Sequence, residues 1–232
     1  MNGYSQKNRE VQIRLPTMQD VQIQSPREHR RRVRLETTRS QVLDAAEQIF
    51  ASAGFHNTTI KSIAAQCEIA VGTMYTLFDD KNSLFEAVLR RRGATLRALT
   101  EAKAAEPGPG DTQLVALADL QIRFFREHPD WTRVASMLVS DSRGESRDSA
   151  VPGLYERGHK VVADIHADVI ARGQREGTVR PGNPLALALL FMGMLETFHG
   201  LGDSDASEYS AAEFLDLVRA TFRAADRSKG AG

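Results

Sequence analysis

Apolar side chains along the chain recur at three- and four-residue intervals, with little strict alternation, a spacing that predicts helices and few strands. From Thr37 to Ala53, the residues Val42, Ala46, Ile49, Phe50 and Ala53 form one inner stripe, and Gly54 marks its end. Next, Ile60, Ile63, Ala64 and Cys67 fall at i, i+3, i+4 and i+7, one buried face of a short helix over 60–66. Thr58 or Thr59, just before it, can cap its free amides. A short connection, Cys67-Glu68-Ile69, leads to a second short helix from Ala70 to Phe78. It opens on the small residues Ala70, Val71, Gly72 and Thr73 and turns Met74 and Phe78 inward. A fourth helix, from Lys81 past Arg97, faces Leu84, Phe85, Val88 and Leu89 inward. The run Pro107-Gly108-Pro109-Gly110 then breaks the chain.

The second half reads as a helical bundle, with helices expected at about 111–127, 130–140, 152–176, 184–201 and 210–225. Their stripes are Leu114, Leu117, Ala118, Ile122 and Phe125; Trp131, Val134, Ala135 and Leu138; and Val162, Ile165 and Val169. The last helix carries Phe214, Leu217, Val218 and Phe222. Polar stretches at 140–149 and 202–207 read as loops, and residues 227–232 as a frayed tail. The helix over 184–201 is apolar nearly all round from Leu185 to Leu195, and such a helix needs cover on every side. A second subunit or the chain's own core can supply it. Its apolar run is too short to span a bilayer.

Composition narrows the class. Of 232 residues, 41% are hydrophobic, enough for sizeable cores, and the fold class is all-α. The single cysteine, Cys67, excludes an internal disulfide and sits on an apolar stripe, which makes it a core residue; it fits a reducing, cytoplasmic setting. The N-terminus is polar and Arg-rich, unlike a signal peptide. Net charge is zero, but residues 1–92 carry 14 Lys/Arg against 10 Asp/Glu and the remainder carries the opposite excess. A basic first half is what contact with phosphate requires. Residues 1–36 lack sustained periodicity and read as a disordered arm. The arm ends in the basic cluster Arg27 to Arg34, either a solvated leader or an extension reaching a DNA groove or neighbouring phosphates.

Two short helices across a tight turn, the second opening on small residues, suit insertion into a DNA major groove. The residues carry a resemblance as well. Thr58-Thr59, Ile63-Ala64, Gly72-Thr73, Tyr75, Phe78, Lys81 and Leu84 stand in the order and spacing of the tetracycline-repressor (TetR) family of bacterial transcription regulators, and the segment resembles the DNA-binding domain of that family. Two positions depart from the pattern: Ala70 stands where Ser is common, which removes a side-chain cap, and Leu77 where Tyr or His is common.

The resemblance implies an N-terminal three-helix helix-turn-helix domain over 37–82 and a helical regulatory and dimerisation domain over 83–226. Candidate DNA contacts are Arg39 at the start of the first helix, Thr59 and Lys61, then Val71, Gly72, Thr73 and Tyr75, and Lys81 where exposed amides favour phosphate. The family implies a homodimer through the last two helices, with Leu187, Leu190, Phe191, Met194, Phe214, Leu217, Val218 and Phe222 as interface candidates. It also implies a small-molecule inducer, apolar or aromatic, bound near Phe124, Phe125, His128, Trp131, Met137, His166, Phe191 and Met194. The function implied is a repressor on a palindromic operator. The alternatives are a DNA-binding regulator without inducer, and a helical interaction module that no longer binds DNA.

Catalysis finds no support: the chain lacks a Gly-rich phosphate loop, H-E-x-x-H and G-x-S-x-G. No cofactor or metal is expected. His159 and His166 share a helix face two turns apart, on the order of 10 Å, too far for one ion unaided.

Overall fold

A computed structural model describes residues 25–142, 151, 153–201 and 210–225. These form nine α-helices, and among them the only strand-like pairing is one bridge between Val179 and Arg223. The chain divides into two units after Thr38.

The described part of the first unit is the N-terminal portion of α1 (Pro26–Ala53). Here the structure corrects the expected disordered arm over 1–36: helix begins at Pro26, not Thr37. The cause is a capping box. Glu28 N donates to Ser25 Oγ at 3.2 Å and Ser25 N donates to Glu28 Oε2 at 2.9 Å. Pro26, whose φ is already helical and which has no amide to orphan, takes the first helical position. The rest of the expected arm, 1–24, lies outside the described residues, as do most of the two expected loops and the tail.

In the second unit, α1 continues with Val42, Ala46 and Phe50 fully buried. It packs with α2 (Ile60–Gln66), α3 (Val71–Leu77) and α4 (Lys81–Ala104) around Ile63, Met74, Leu84, Phe85 and Val88. Phe50, Phe55 and Phe85 meet here, with Phe50 and Phe85 edge to face at 5.0 Å. This core also takes in Val134 and Leu138 of α6 (Pro129–Ser142). The inner face of α6 therefore rests on α1–α4.

A second core joins α5 (Gly110–Glu127), α7 (Leu154–Glu176), α8 (Pro184–Leu201) and α9 (Ala211–Phe222) through Leu114, Leu117, Ile170, Phe191, Val218 and Phe222. α5 and α7 approach closely at Gly110 and Gly173. A Cβ on Gly173 would lie 2.9 Å from the Gly110 Cα and 2.4 Å from Val179 Cγ2, so only glycine fits. Among the described residues no helix is long and apolar enough to cross a membrane.

Candidate nucleic-acid interface

The two short helices are fixed by local hydrogen bonding. Thr59 caps α2: Ser62 N donates to Thr59 Oγ1 at 3.1 Å, and Thr59 N donates to Ser62 Oγ at 3.1 Å. Ala70 precedes α3 without a side-chain cap, as its methyl requires. The turn between them passes through Glu68 with φ +54°, a left-handed conformation that costs an ordinary residue about 1 kcal/mol. Asp80 caps α4 in a further box with Ser83. Met74 and Phe78 hold α3 to the core, which leaves its opposite face outward.

That outward face carries Gly72 and Tyr75, with Thr73 half-buried at its edge, while Val71 rests partly on the core. Tyr75 is 58% exposed, an unusual degree for an aromatic. A Cβ built on Gly72 would meet nothing within 4 Å, so the subunit itself gives no reason for glycine there. Glycine in a helix costs about 1 kcal/mol relative to alanine, and a close approach from outside is the condition that makes it useful. Lys61 and Thr59 are exposed on α2.

Two sequence candidates are placed differently. Arg39 donates from Nη1 to the Leu77 carbonyl at 2.7 Å and lies over the Phe78 ring at 4.3 Å. Lys81 donates from Nζ to the carbonyls of Phe55 and Thr58 at 2.9 and 3.0 Å, over the Phe55 ring at 4.1 Å. Both cations clamp the backbone around the two short helices. The Arg90 to Arg92 run is also engaged: Arg91 meets Asp44 at 2.8 Å and Glu47 at 3.0 Å, Arg92 meets Glu47 at 3.5 Å, and Arg90 donates to Glu86 at 2.7 Å. Of the Lys and Arg side chains in 39–92, Lys61 alone has no partner among the described residues. Burial pushes the Cys67 thiol above its ordinary value, which makes it a poor thiolate.

The candidate ligand residues fall in two groups along one stripe of α5. Phe124, Phe125, His128 and Trp131 form an aromatic cluster, with Phe124 and His128 at 4.6 Å and Phe125 and Trp131 at 5.5 Å. Sequence reasoning missed His199, whose ring lies 4.1 Å from Phe125. One turn back on α5, Gln121 Nε2 lies 3.1 Å from Nε2 of the fully buried His166, whose ring meets Phe191 edge to face at 4.8 Å. His166 Nδ1 and His199 Nε2 are buried without a hydrogen-bond partner among the described residues. Burial lowers both imidazoles to about 4, with His159 adding to the effect at His166 and Arg126 at His199. Met137 and Met194 are half-buried. Trp131 donates from Nε1 to the Leu89 carbonyl of α4 at 3.4 Å, so the cluster touches the helix that follows α3. Among the described residues no three His, Cys, Asp or Glu side chains gather to hold an ion.

Four interface candidates are corrected. Phe191, Phe214, Val218 and Phe222 lie inside the subunit's own core, where Phe191 and Phe222 pack at 5.7 Å. Leu187 and Met194 rest partly on the same core. The α9 stripe at four-residue spacing faces inward, which leaves Leu217 outward at 47% exposure. On α8, Leu190 is 49% exposed and is joined by Leu185 and Leu189, both in the run that the sequence shows as apolar all round, and by the open Gly193.

Residues 42–88 match the profile of bacterial regulatory proteins of the tetR family. The chain is 26% identical over 188 residues to the HTH-type transcriptional regulator UidR of Escherichia coli strain K12, covering 79% of this chain and 90% of that protein. Among solved structures it is similar to a bacterial regulatory protein in the tetR family from Rhodococcus RHA1, with a TM-score of 0.68, 20% identity, and coverage of 82% of this chain and 98% of that one. It is also similar to AibR in complex with isovaleryl coenzyme A and operator DNA, with a TM-score of 0.63, 16% identity, and coverage of 80% and 98%. At these identities the solved structures show the fold. The named relatives are regulators rather than enzymes.

Proposed function

We infer function from family: by the domain it carries over residues 42–88, this chain belongs to the tetR family of bacterial regulatory proteins and is a DNA-binding transcriptional regulator. We propose that it reads a palindromic operator as a homodimer in the cytoplasm, represses by occupying it, and leaves on binding a small apolar or aromatic ligand. Residues 37–82 read, and residues 83–226 regulate and dimerise. The observation that carries this reading is the outward face of α3, where Gly72 is open to close approach, Tyr75 is exposed beside it, and the half-buried Val71 and Thr73 flank it. Val71 suits a thymine methyl, Thr73 a base edge or phosphate, and Tyr75 and Thr59 phosphate oxygens.

Dimerisation is supported by a stripe on α8, Ala186, Leu189, Leu190, Gly193 and Thr197, exposed at helical spacing and small enough in places for close helix contact. Leu217 of α9 extends the apolar surface. A ligand is supported by the two unpartnered imidazole nitrogens beside the α5 aromatics, since an orphaned buried polar atom costs about 1–3 kcal/mol until something bonds it. AibR is named in complex with both isovaleryl coenzyme A and operator DNA, which fits a DNA-binding regulator that responds to a ligand. A ligand that displaced Trp131 would press on α4 at Leu89 and on α6, whose Val134 and Leu138 share the core of the reading helices. A coupling of about 1–3 kcal/mol would change operator affinity about 5–150-fold.

The test is selection from random duplex DNA with the purified chain at near-physiological salt. The reading expects a palindrome whose half-sites lie about 34–36 Å apart. Failure to enrich any sequence would overturn it.

A further inference from the structure

The cations next to the reading helices are largely committed. Arg39, Lys81, Arg90, Arg91 and Arg92 all bond within the subunit, which leaves Lys61 without a partner among the described residues. Yet operator binders draw much of their affinity from neutralised phosphates, with about 6–10 contacts not unusual. The charge must come from elsewhere on the chain.

The N-terminal portion of α1 holds it. Arg27, Arg30, Arg31 and Arg34 stand at i, i+3, i+4 and i+7 of a continuous helix, so they share one face, and all four are exposed. The acids nearby are engaged: Glu28 closes the capping box with Ser25, and Glu36 pairs with Arg32, which lies off the stripe. Like charges three and four apart on a helix repel by a few tenths of a kcal/mol per pair. A stripe holding four such pairs and no carboxylate is destabilising by itself and is relieved by a polyanion.

We propose that this arginine face is a second DNA-binding element, one that lies along the phosphate backbone of the duplex and reads no bases. It rests on the reading of the chain as an operator-binding regulator. Helical geometry argues for backbone over groove: seven residues of rise place the four guanidinium groups along about 10 Å, at about 1.5 Å per residue. One strand of duplex presents a phosphate about every 3.4 Å of axis, so the stripe spans about three. Arginine supplies fork-like donors suited to phosphate oxygens. Such contacts strengthen specific and non-specific binding alike.

The test compares three full-length proteins on the selected operator and on random duplex, over a range of salt: wild type, a variant with Arg27, Arg30, Arg31 and Arg34 all changed to Gln, and one with all four changed to Lys. Gln and Lys keep helix propensity close to that of Arg. The Gln variant is expected to lose about 2–3 from the salt slope per subunit, at about 0.9 per phosphate, on both DNAs, while selecting the same palindrome. The Lys variant is expected to retain most of the slope. An unchanged slope in the Gln variant, or a Lys variant as weak as the Gln variant, would overturn the proposal. So would a stripe whose loss abolishes binding to phosphatidylglycerol vesicles and leaves DNA untouched. If wild type selects no operator, the function reading itself fails, a result distinct from these.

Discussion

Arg39 sits over the ring of Phe78, its guanidinium carbon 4.3 Å from the centroid, and from there donates to the carbonyl of Leu77 at 2.7 Å. The last turn of α3 is thus held from α1. Lys81 holds the other side, bonding two carbonyls in the segment between α1 and α2. It does so from the first turn of α4, where the helix dipole disfavours a cation, so the two carbonyls and the Phe55 ring must compensate. Arg39→Ala and Lys81→Met are each expected to cost about 1–3 kcal/mol, read by denaturant unfolding, from a charged hydrogen bond and a cation–π contact. Each should leave the salt slope of DNA binding nearly unchanged. Lys61→Gln should do the reverse, lowering the slope by about 0.9 per subunit with unfolding unaltered.

The backbone contact between Gly110 and Gly173 is equally specific. A methyl on Gly173 would collide with backbone and with Val179, neither of which can swing away as a long side chain could. Gly173→Ala is expected to cost about 1–3 kcal/mol or more by overpacking. Gly72→Ala meets open space, and is expected to leave stability unchanged or raise it by up to about 1 kcal/mol while weakening operator binding. The contrast between the two alanines separates a glycine kept for the fold from one kept for a partner.

His166 and His199 set a pH dependence. Burial lowers each from 6.5 to about 4, so between these values the unfolded chain binds more protons than the folded one. Their contribution to stability is complete above pH 6.5 and is lost as pH falls toward 4. The slope can reach about 1.4 kcal/mol per pH unit for each histidine in that window. Unfolding followed from pH 7 to 4.5 should show this decline, and His166→Gln with His199→Gln should flatten it. A wild-type profile that is flat through the window would contradict the assignment.

Leu190 and Leu217 face away from the subunit core, at 49% and 47% exposure. Leu190→Glu with Leu217→Glu is expected to yield a folded monomer by sedimentation, with helix content retained. Phe191→Glu, at a position with no exposure, should instead unfold the regulatory half.

Much of this architecture is legible in the sequence because helices bury apolar stripes at fixed spacing. α2 falls at Ile60–Gln66 and α8 at Pro184–Leu201 as their apolar spacing predicts, while α3 runs Val71–Leu77, one residue short at each end of the expected Ala70 to Phe78. The start of α1 was missed because the expectation followed apolar periodicity, and the exposed arginine-rich turn has none; the signal was Ser25-Pro26 with Glu28 three residues after the serine, a cap with no hydrophobic stripe behind it. The roles of Arg39 and Lys81 turn on carbonyls 38 and 26 residues away in sequence, which no local pattern reports. Four of the interface candidates lie in the core because an apolar residue on a terminal helix looks the same from sequence whether it faces its own core, like Phe214, or outward, like Leu217. His199 was overlooked because its ring finds Phe125 only through the packing of α8 on α5.

The central claim is that the outward face of α3 reads sequence. It is tested most directly by the ratio of affinities for the selected operator and for random duplex, measured at one fixed salt for wild type and for Val71→Ala with Thr73→Ala. Base contacts are worth about 1–3 kcal/mol each, so the ratio is expected to fall at least tenfold while random-duplex affinity stays within about twofold. An unchanged ratio, or an equal loss on both DNAs, would contradict the claim and place sequence recognition elsewhere on the chain.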